Sequence, residues 1–187
     1  MTRFARTDTS ILGHWWWTID RWSIAAVALL IVYGVMLTMA ASPPVAERLH
    51  FEQFHFVRRQ LVFLPIAIVI MFAVSLMTPR GVRRLAVVVF AVSILLMIAT
   101  LFFGPEIKGA RRWINIAGLS LQPSEFIKPS LAVLTAWVFA RQHKSGDPVW
   151  RNAAIGLYAL VVGLLLLQPD FGMTVVVSVV WFGQFFL

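Results

Sequence analysis

The sequence predicts an all-α protein, built as a polytopic bundle of transmembrane helices. Of its 187 residues, 60% are hydrophobic, and the mean hydropathy is +0.84. Soluble domains are roughly 45–50% apolar even when glycine is counted, so a water-soluble core of this size would leave apolar surface uncovered. The apolar residues also gather in long segments separated by basic, proline-containing stretches. Both observations indicate that lipid is the solvent for much of the chain.

Five hydrophobic segments and the beginning of a sixth are visible along the chain. They cover residues 22–41, 61–77, 85–103, 126–140, 153–167 and 171 to the end. Each is close to the ~20 residues that cross a hydrocarbon layer of ~30 Å, or about a turn shorter. We expect every segment to be helical, because an open strand leaves backbone groups unpaired in lipid. Pro43 and Pro44 are expected to end the first helix, and Gly104 and Pro105 the third.

Residues 1–21 are predicted to form a short polar tail in front of a transmembrane domain that covers residues 22–187. The first twenty residues lack the apolar core and the small-residue cleavage site of a secretory signal peptide. Trp15, Trp16 and Trp17 are typical of an aromatic anchor at the membrane interface. The enrichment of tryptophan at such interfaces favours the anchor over a tryptophan cluster buried in a soluble domain.

The distribution of basic residues predicts which side of the membrane holds the N-terminus. If the spans alternate, nine Lys and Arg residues share the side of the N-terminus and six lie on the other side. The nine are Arg3, Arg6, Arg21, Arg80, Arg83, Arg84, Arg141, Lys144 and Arg151, and the six are Arg48, Arg58, Arg59, Lys108, Arg111 and Arg112. Because cytoplasmic loops are enriched in Lys and Arg, we expect a cytoplasmic N-terminus. The net charge of +8 then reflects loops that set topology and touch anionic lipid, and no nucleic-acid partner is expected.

Two helix starts share a sequence pattern, QPSE at 122–125 and QPD at 168–170. Proline is favoured at the first helical position, because its missing N–H would be unpaired there anyway. An acid in the first turn complements the positive end of the helix dipole. Capping alone therefore explains both prolines. It does not explain Lys128, which falls about one turn into the fourth predicted helix.

Lys128 is an ionisable residue inside a hydrophobic segment. It lies three residues after Glu125, so the two side chains share a helix face and can pair. Pro129 follows directly and removes a helical hydrogen bond near Glu125. Two interpretations stay open. The pair is either a structural ion pair or part of a substrate or ion path, which ionisable groups at membrane depth often mark.

Arg111 and Arg112 favour the second interpretation. Arginine and lysine side chains at the level of lipid headgroups are suited to clamp a phosphate or a pyrophosphate. The two arginines begin the stretch RRWINIAGLSL at 111–121. We expect this stretch to form a short interfacial helix or a hairpin, with Trp113 among the headgroups.

Several kinds of chemistry have no support in the sequence. The chain has no cysteine, which excludes disulfides and thiolate chemistry, and its four histidines are not spaced as metal ligands. It contains neither a P-loop nor a dinucleotide-binding glycine motif. We therefore predict no metal site and no cofactor, and leave open whether a divalent cation assists.

Two stretches resemble signature regions of one family. GARRWINIAGLSLQPSEFIKPSLAVLTAW at 109–137 is similar to the signature of the SEDS glycosyltransferases (shape, elongation, division and sporulation). LLQPDFGMTVVV at 166–177 resembles a second signature, with methionine where threonine or serine often follows the glycine. The two occur in the expected order, and the resemblance covers essentially the whole chain. The N-terminal part looks more like the division-specific members of alphaproteobacterial type than like the elongation members.

The resemblance implies a fold of ten transmembrane helices, of which about six are present here. It implies a multi-pass protein of the cell inner membrane at the division septum, with a cytoplasmic N-terminus. It also implies an enzyme that polymerises lipid II into peptidoglycan strands by an inverting transfer, with undecaprenyl pyrophosphate as leaving group. The carboxylate usually proposed as base belongs to an outer loop beyond Leu187. No catalytic residue is therefore assigned, and these 187 residues alone are not expected to polymerise lipid II.

Seven residues are predicted to contact the lipid II pyrophosphate or line its cavity. They are Arg111, Arg112, Gln122, Ser124, Glu125, Lys128 and Asp170. The resemblance implies a class B penicillin-binding protein transpeptidase as partner, together with other membrane proteins of the division machinery. Two alternative functions stay open, a lipid II flippase and a non-catalytic scaffold of that machinery. Gly156 and Gly163 would carry helix packing in a scaffold.

Overall fold

A computed structural model describes residues 11–48, 50–106, 109–116 and 119–186. Seven helices and two short strands follow one another along these residues. They are α1 Ile11–Thr18, α2 Arg21–Arg48, α3 His55–Ser75, α4 Pro79–Phe103, β1 Ile114–Ile116, β2 Leu119–Leu121, α5 Ser124–Ser145, α6 Pro148–Leu167 and α7 Phe171–Phe185. Three basic residues used to predict the topology, Arg3, Arg6 and Lys108, lie outside the described residues.

The predicted fold class is confirmed, because each of the six hydrophobic segments is helical. Four helices are long and apolar enough to cross a membrane by length and composition, namely α2, α3, α4 and α6. Helix α7 is apolar over its 15 residues. Helix α5 has 22 residues but is less apolar, because it carries charged residues at both ends and Lys128 near its start. The chain is a membrane protein with a polytopic helical architecture.

Two boundary predictions were wrong. Helix α2 does not end at Pro43 and Pro44 but continues through them to Arg48. Each proline removes only its own N–H from the ladder, and the turns that follow hold further bonds. The Ser42 hydroxyl donates to the Gln53 carbonyl at 2.7 Å, and the Phe51 N–H donates to the Ala46 carbonyl at 2.9 Å.

Part of the predicted polar tail is also helical, since residues 11–18 form α1. The described residues before Thr78 belong to one compact unit, which holds α1, α2 and α3. Trp15 fixes α1 to the end of α3, because its indole N–H donates to the Ser75 hydroxyl at 2.9 Å. Its ring also meets Phe72 edge-on at 4.9 Å. Trp16 and Trp17 remain 44% exposed, and their role as an interface anchor stays a prediction.

Asp20 caps the start of α2 from an exposed position. Its carboxylate accepts the Ser23 hydroxyl at 2.6 Å and the N–H groups of Trp22 and Ser23 at 3.1 and 3.0 Å. The Ser23 hydroxyl contributes most, followed by the two backbone N–H groups, and together they hold the pKa of Asp20 below its ordinary value.

The second compact unit begins at Thr78 and holds the candidate site. Helix α5 packs against α4, α6 and α7. All four helices contribute to the apolar core, which consists of Ala86, Phe90, Met97, Ile127, Leu131, Leu134, Val161, Leu164, Leu165, Met173 and Val177. Between α4 and α5, strands β1 and β2 pair antiparallel as the two arms of a hairpin, with Ile114 opposite Leu121. The hairpin alternative is therefore confirmed by this strand pairing, and Arg112, just before the hairpin, contacts the turn between α6 and α7.

Candidate functional site

Asp170 is the centre of a polar network at the start of α7. The residue is 6% exposed and is the N-cap of α7, where its carboxylate accepts the Met173 N–H at 3.3 Å. The same carboxylate accepts the Gln122 amide at 3.2 Å and pairs with Arg112, with 3.5 Å between Oδ1 and Nη1. The Asp170 carboxylate thus contacts a backbone N–H, an amide and a guanidinium at once, as a buried carboxylate requires.

Arg112 holds the turn between α6 and α7. Its Nε donates to the Gln168 carbonyl at 3.0 Å, and its Nη2 donates to the Pro169 carbonyl at 2.8 Å. With the Asp170 contact, all three guanidinium nitrogens have a partner in this turn. A planar, fixed fork of donors can satisfy several acceptors at once, which a lysine cannot do in the same way. Arg112 therefore fastens the hairpin to the start of α7.

Gln122 and Ser124 complete this network from the start of α5. The Gln122 amide donates both to the Ser124 hydroxyl, at 3.0 Å, and to Asp170. Ser124 is 1% exposed. The two helix starts that share a sequence pattern are therefore in direct contact. The structure brings four of the seven predicted residues together: Arg112, Gln122, Ser124 and Asp170.

The sequence predicted that the prolines of the two starts occupy the first helical position, and this prediction was wrong. Pro123 is itself the N-cap of α5, and Pro169 precedes the N-cap Asp170. In the second start, the N-cap falls to Asp170 because a carboxylate can accept the N–H of a following residue and a proline side chain cannot. At the start of α5 no side chain caps the helix, and the Gln122 amide donates to the Ser124 hydroxyl.

The other three predicted residues form separate, more exposed ion pairs. Lys128 Nζ lies 2.7 Å from Glu125 Oε2, with side-chain exposures of 32% and 53%. Arg111 Nη2 lies 3.6 Å from Glu106 Oε2, with exposures of 48% and 60%. Within the described residues, neither pair shares a hydrogen bond or an ion pair with the Asp170 network. Each of the three predicted clamp cations therefore has its own carboxylate.

Gln168 is a residue of the site that the sequence interpretation did not select. Its side chain is 2% exposed and donates to the Met97 carbonyl at 3.0 Å and to the Thr100 hydroxyl at 2.6 Å. These bonds connect the end of α6, just before the α6–α7 turn, to α4. The available signal was the amide itself, at the end of an apolar segment, because a buried amide needs a partner.

A second polar contact was also missed, between α5 and α7. The Thr135 hydroxyl donates to the Gln184 side-chain oxygen, and the Gln184 amide donates to the Ala132 carbonyl at 3.0 Å. Lys128 lies on the same α5–α7 seam, over a narrow crevice that also touches Thr135 and Trp181. In the part of the chain that the structure describes, no group of three acidic, histidine or cysteine residues is arranged to hold a metal ion.

The comparisons with known proteins agree with this helical membrane architecture. The chain is 44% identical over 185 residues to a Caulobacter vibrioides protein named probable peptidoglycan glycosyltransferase FtsW, covering 98% of this chain and 47% of that protein. It is 33% identical over 166 residues to the Acinetobacter baylyi protein of the same name, covering 88% and 42%. The chain spans about half the length of the curated relatives it matches.

Solved structures share the fold as well. The crystal structure of the rod shape determining protein RodA from Thermus thermophilus superposes with a TM-score of 0.70 at 33% identity, covering 90% of this chain and 55% of that one. A chain of a peptidoglycan synthase complex, studied for its coordination of polymerization and crosslinking, superposes with a TM-score of 0.65 at 31% identity, covering 90% and 47%.

These findings define the class, a polytopic helical membrane protein whose fold is shared with a rod shape determining protein and with a chain of a peptidoglycan synthase complex. The model of one family, FtsW/RodA/SpoVE, described as cell cycle proteins, matches residues 21–187. The chain belongs to this family, as the two signature stretches predicted.

Proposed function

We propose that the full-length protein containing this chain is a peptidoglycan glycosyltransferase that polymerises lipid II during cell division. The relatives that share most of this chain carry the name of that activity. The chain corresponds to about half of their length, so the proposal concerns the longer protein. The observation that carries it is the presence of two cations in exposed ion pairs, Arg111 and Lys128, close along the chain to Arg112 and Ser124 of the polar network around buried Asp170.

Glycosyl transfer from lipid II needs positive charge where the pyrophosphate departs. Arg111 and Lys128 suit this role because their side chains are 48% and 32% exposed. Each is held by one exposed carboxylate, and exposed ion pairs contribute only about 0–1 kcal/mol. A phosphate oxygen can therefore replace Glu106 or Glu125 at small cost, and it forms a stronger charge-assisted hydrogen bond.

Arg112 has a different part in this proposal. Its donors are occupied by two backbone carbonyls and by the buried Asp170. Releasing it to a substrate would leave Asp170 buried without its cation, which is costly. We therefore assign Arg112, Gln122, Ser124 and Asp170 to positioning the hairpin and the two helix starts that carry the accessible cations.

No residue of this chain is proposed as the catalytic base. Glu125 and Asp170 each neutralise a cation, so neither is assigned as the base. A lipid II polymerisation assay with and without a chelator would test whether a divalent cation assists.

We further propose a partner and a location. The similarity to a chain of a peptidoglycan synthase complex supports a crosslinking partner. We propose that this partner is a class B penicillin-binding protein transpeptidase, accompanied by other membrane proteins of the division machinery. The proposed location is the inner membrane at the septum, with the N-terminus in the cytoplasm.

The experiment is a lipid II polymerisation assay with the full-length protein and its transpeptidase in proteoliposomes. Arg111→Gln and Lys128→Met are expected to lower polymerisation at least tenfold at unchanged unfolding temperature. Arg58→Gln is the matched control, because Arg58 forms the same kind of exposed ion pair with Glu52, at 3.3 Å. We expect this control to retain activity within a factor of two.

The alternatives give different results. Equal activity in all three variants would reject the two cations as substrate contacts but not the glycosyltransferase. Transport of lipid II between leaflets without polymerisation would favour a flippase. Recruitment of the transpeptidase by a protein that shows neither lipid activity would favour a scaffold.

A further inference from the structure

A cluster of arginines and tryptophans lies at the other end of α5, roughly 30 Å from the helix start. It is built from the first turns of α4 and α6 and the last turns of α5. Its centre, called the basic–aromatic cluster below, consists of Arg83, Trp137, Arg141 and Trp150. The proposed lipid II site uses none of these residues.

The indole of Trp137 organises the cluster. The guanidinium carbons of Arg83 and Arg141 lie 5.8 and 5.4 Å from its ring centre, and Arg141 lies 5.4 Å from the ring of Trp150 as well. The two indoles meet edge-on at 6.1 Å. These distances are within the range of cation–π attraction. The aromatic rings therefore hold two like charges close together on one wall.

Two open cavities, of about 280 and 480 Å³, share this wall. Both are lined by Arg83 and Trp137. Arg80 and Arg84 add positive charge to the first cavity, and Arg141 and Lys144 to the second. The two linings contain five cations and no carboxylate. The cavities are thus strongly positive spaces with a flat aromatic side.

The charge of the cluster is not balanced within the protein. In the described residues, none of its cations has a carboxylate within 4.0 Å. The acid of the adjoining loop, Asp147, accepts the Val149 N–H at 2.9 Å and so caps α6. Three arginines also lie in the first two turns of α4, where the helix dipole is positive and no acid is present. An anion in these cavities would relieve both repulsions.

The position of the cluster indicates which anion it meets. Helices α4 and α6 are apolar enough to cross a membrane, and the cluster lies where both begin. Tryptophans and arginines at such ends lie at the level of the lipid headgroups. The wall also contains a donor without a partner, since the buried Nε1 of Trp137 makes no hydrogen bond to the described residues. The cavity linings therefore carry positive charge and no carboxylate, and a phosphate would supply both negative charge and acceptor oxygens.

We propose that the basic–aromatic cluster binds the phosphate group of an anionic phospholipid headgroup. Arginine forks match the geometry of phosphate oxygens, and basic residues next to membrane spans attract anionic lipid. Arg83 and Arg141 contact the phosphate, Arg80, Arg84 and Lys144 raise the local positive potential, and the indoles hold the arginines in place. The acyl chains of the lipid lie along the apolar surface of the helices.

The test is a lipid titration of the chain purified in a neutral detergent, read by native mass spectrometry. The probes are short-chain phosphatidylglycerol, phosphatidylcholine with the same chains, and inorganic phosphate as a competitor. Arg141→Gln is compared with Arg151→Gln, which removes the same charge from an exposed arginine in the first turn of α6 that lines neither cavity. Arg141→Lys keeps the charge and removes the planar fork.

We expect saturable binding of phosphatidylglycerol that Arg141→Gln weakens at least tenfold and Arg151→Gln less than twofold. Arg141→Lys is expected to fall between them, and phosphatidylcholine to bind without saturation. Equal weakening by Arg141→Gln and Arg151→Gln would overturn the proposal, because it would indicate diffuse attraction to the surface. Displacement of the lipid by millimolar inorganic phosphate would overturn the lipid as the source of the phosphate.

Discussion

The starts of α5 and α7 carry nearly the same residues and lie in opposite surroundings. At the start of α5 the acid is Glu125, whose side chain is 53% exposed and which pairs with Lys128 on its own helix. At the start of α7 the acid is Asp170, whose side chain is 8% exposed and whose cation, Arg112, comes from the stretch before the hairpin. The Glu125–Lys128 pair is local and solvent-exposed, whereas the Asp170–Arg112 pair joins distant parts of the chain and has a buried carboxylate.

The two acids differ in exposure because their cation partners come from different places along the chain. The i, i+3 spacing brings Lys128 to Glu125 wherever α5 is placed, so the pair needs no other element. Asp170 is buried by the hairpin and by α5, and a buried carboxylate must be paired and hydrogen-bonded. Its partners Arg112 and Gln122 meet both requirements. We therefore expect similar substitutions at the two starts to have very different effects on stability.

Asp170→Ala should have the largest effect. It removes the α7 cap, leaves Arg112 without its carboxylate and frees the Gln122 amide, so we expect a loss of about 3 kcal/mol in the free energy of unfolding. Chemical unfolding of the chain in detergent micelles measures it. Asp147→Ala is the matched control, because Asp147 caps α6 from an exposed position, and we expect it to cost about 1 kcal/mol. Equal losses would show that capping alone explains Asp170.

Gln168→Met should have the second largest effect. The substitution keeps the approximate volume of the side chain and removes the bonds to Met97 and Thr100, which connect the end of α6 to α4. The Met97 carbonyl still accepts the Thr100 hydroxyl at 2.6 Å, so we expect a loss of about 1–2 kcal/mol. The corresponding change at the other start, Gln122→Met, should cost no more than about 1 kcal/mol, because Gln122 is only partly buried. The same unfolding measurement compares the two variants. A larger loss for Gln122→Met than for Gln168→Met would contradict the deeper burial of Gln168.

Glu125→Gln should change stability by only about 0.2–0.5 kcal/mol, since it removes one exposed pair on a single helix. The loss should shrink when salt is added, because exposed charges are screened. Asp170→Asn serves as the comparison, and its loss should depend less on salt because Asp170 is buried. A salt-independent loss for Glu125→Gln would indicate that Glu125 is not solvated as described.

Asp20 is a third cap to compare, since it is exposed and forms no ion pair with the described residues. Since the pKa of Asp20 lies below its ordinary value of 3.8, the cap contributes fully above that pH. Its contribution is lost as the pH falls through the lowered pKa. Amide hydrogen exchange at Ser23 should therefore accelerate in this acid range, beyond the intrinsic pH dependence of exchange. Asp20→Asn should remove that transition, because asparagine caps helices without titrating.

Much of the fold could be predicted from sequence because its causes are local. Lipid leaves no partner for an open backbone, so long apolar segments must be helices, and all six predicted segments are. The same locality explains the Lys128–Glu125 pair. Where the prediction failed, at Pro43 and Pro44 and in the tail, hydrogen bonds donated by Ser42 and by Trp15 outweighed the local signal.

The sequence by itself therefore determined the membrane-spanning helices, the family, the hairpin as one of two alternatives, and the short-range ion pair. Only the tertiary structure decided that Arg112 binds the α6–α7 turn, that Gln122 reaches Asp170, and that Gln168 is buried against α4. The partners of the first two contacts lie 48 to 57 residues apart. Such contacts depend on how helices pack, and no spacing along the chain encodes them. The same reason explains why Arg112 joins the network around buried Asp170 while Arg111 and Lys128 form ion pairs with exposed carboxylates.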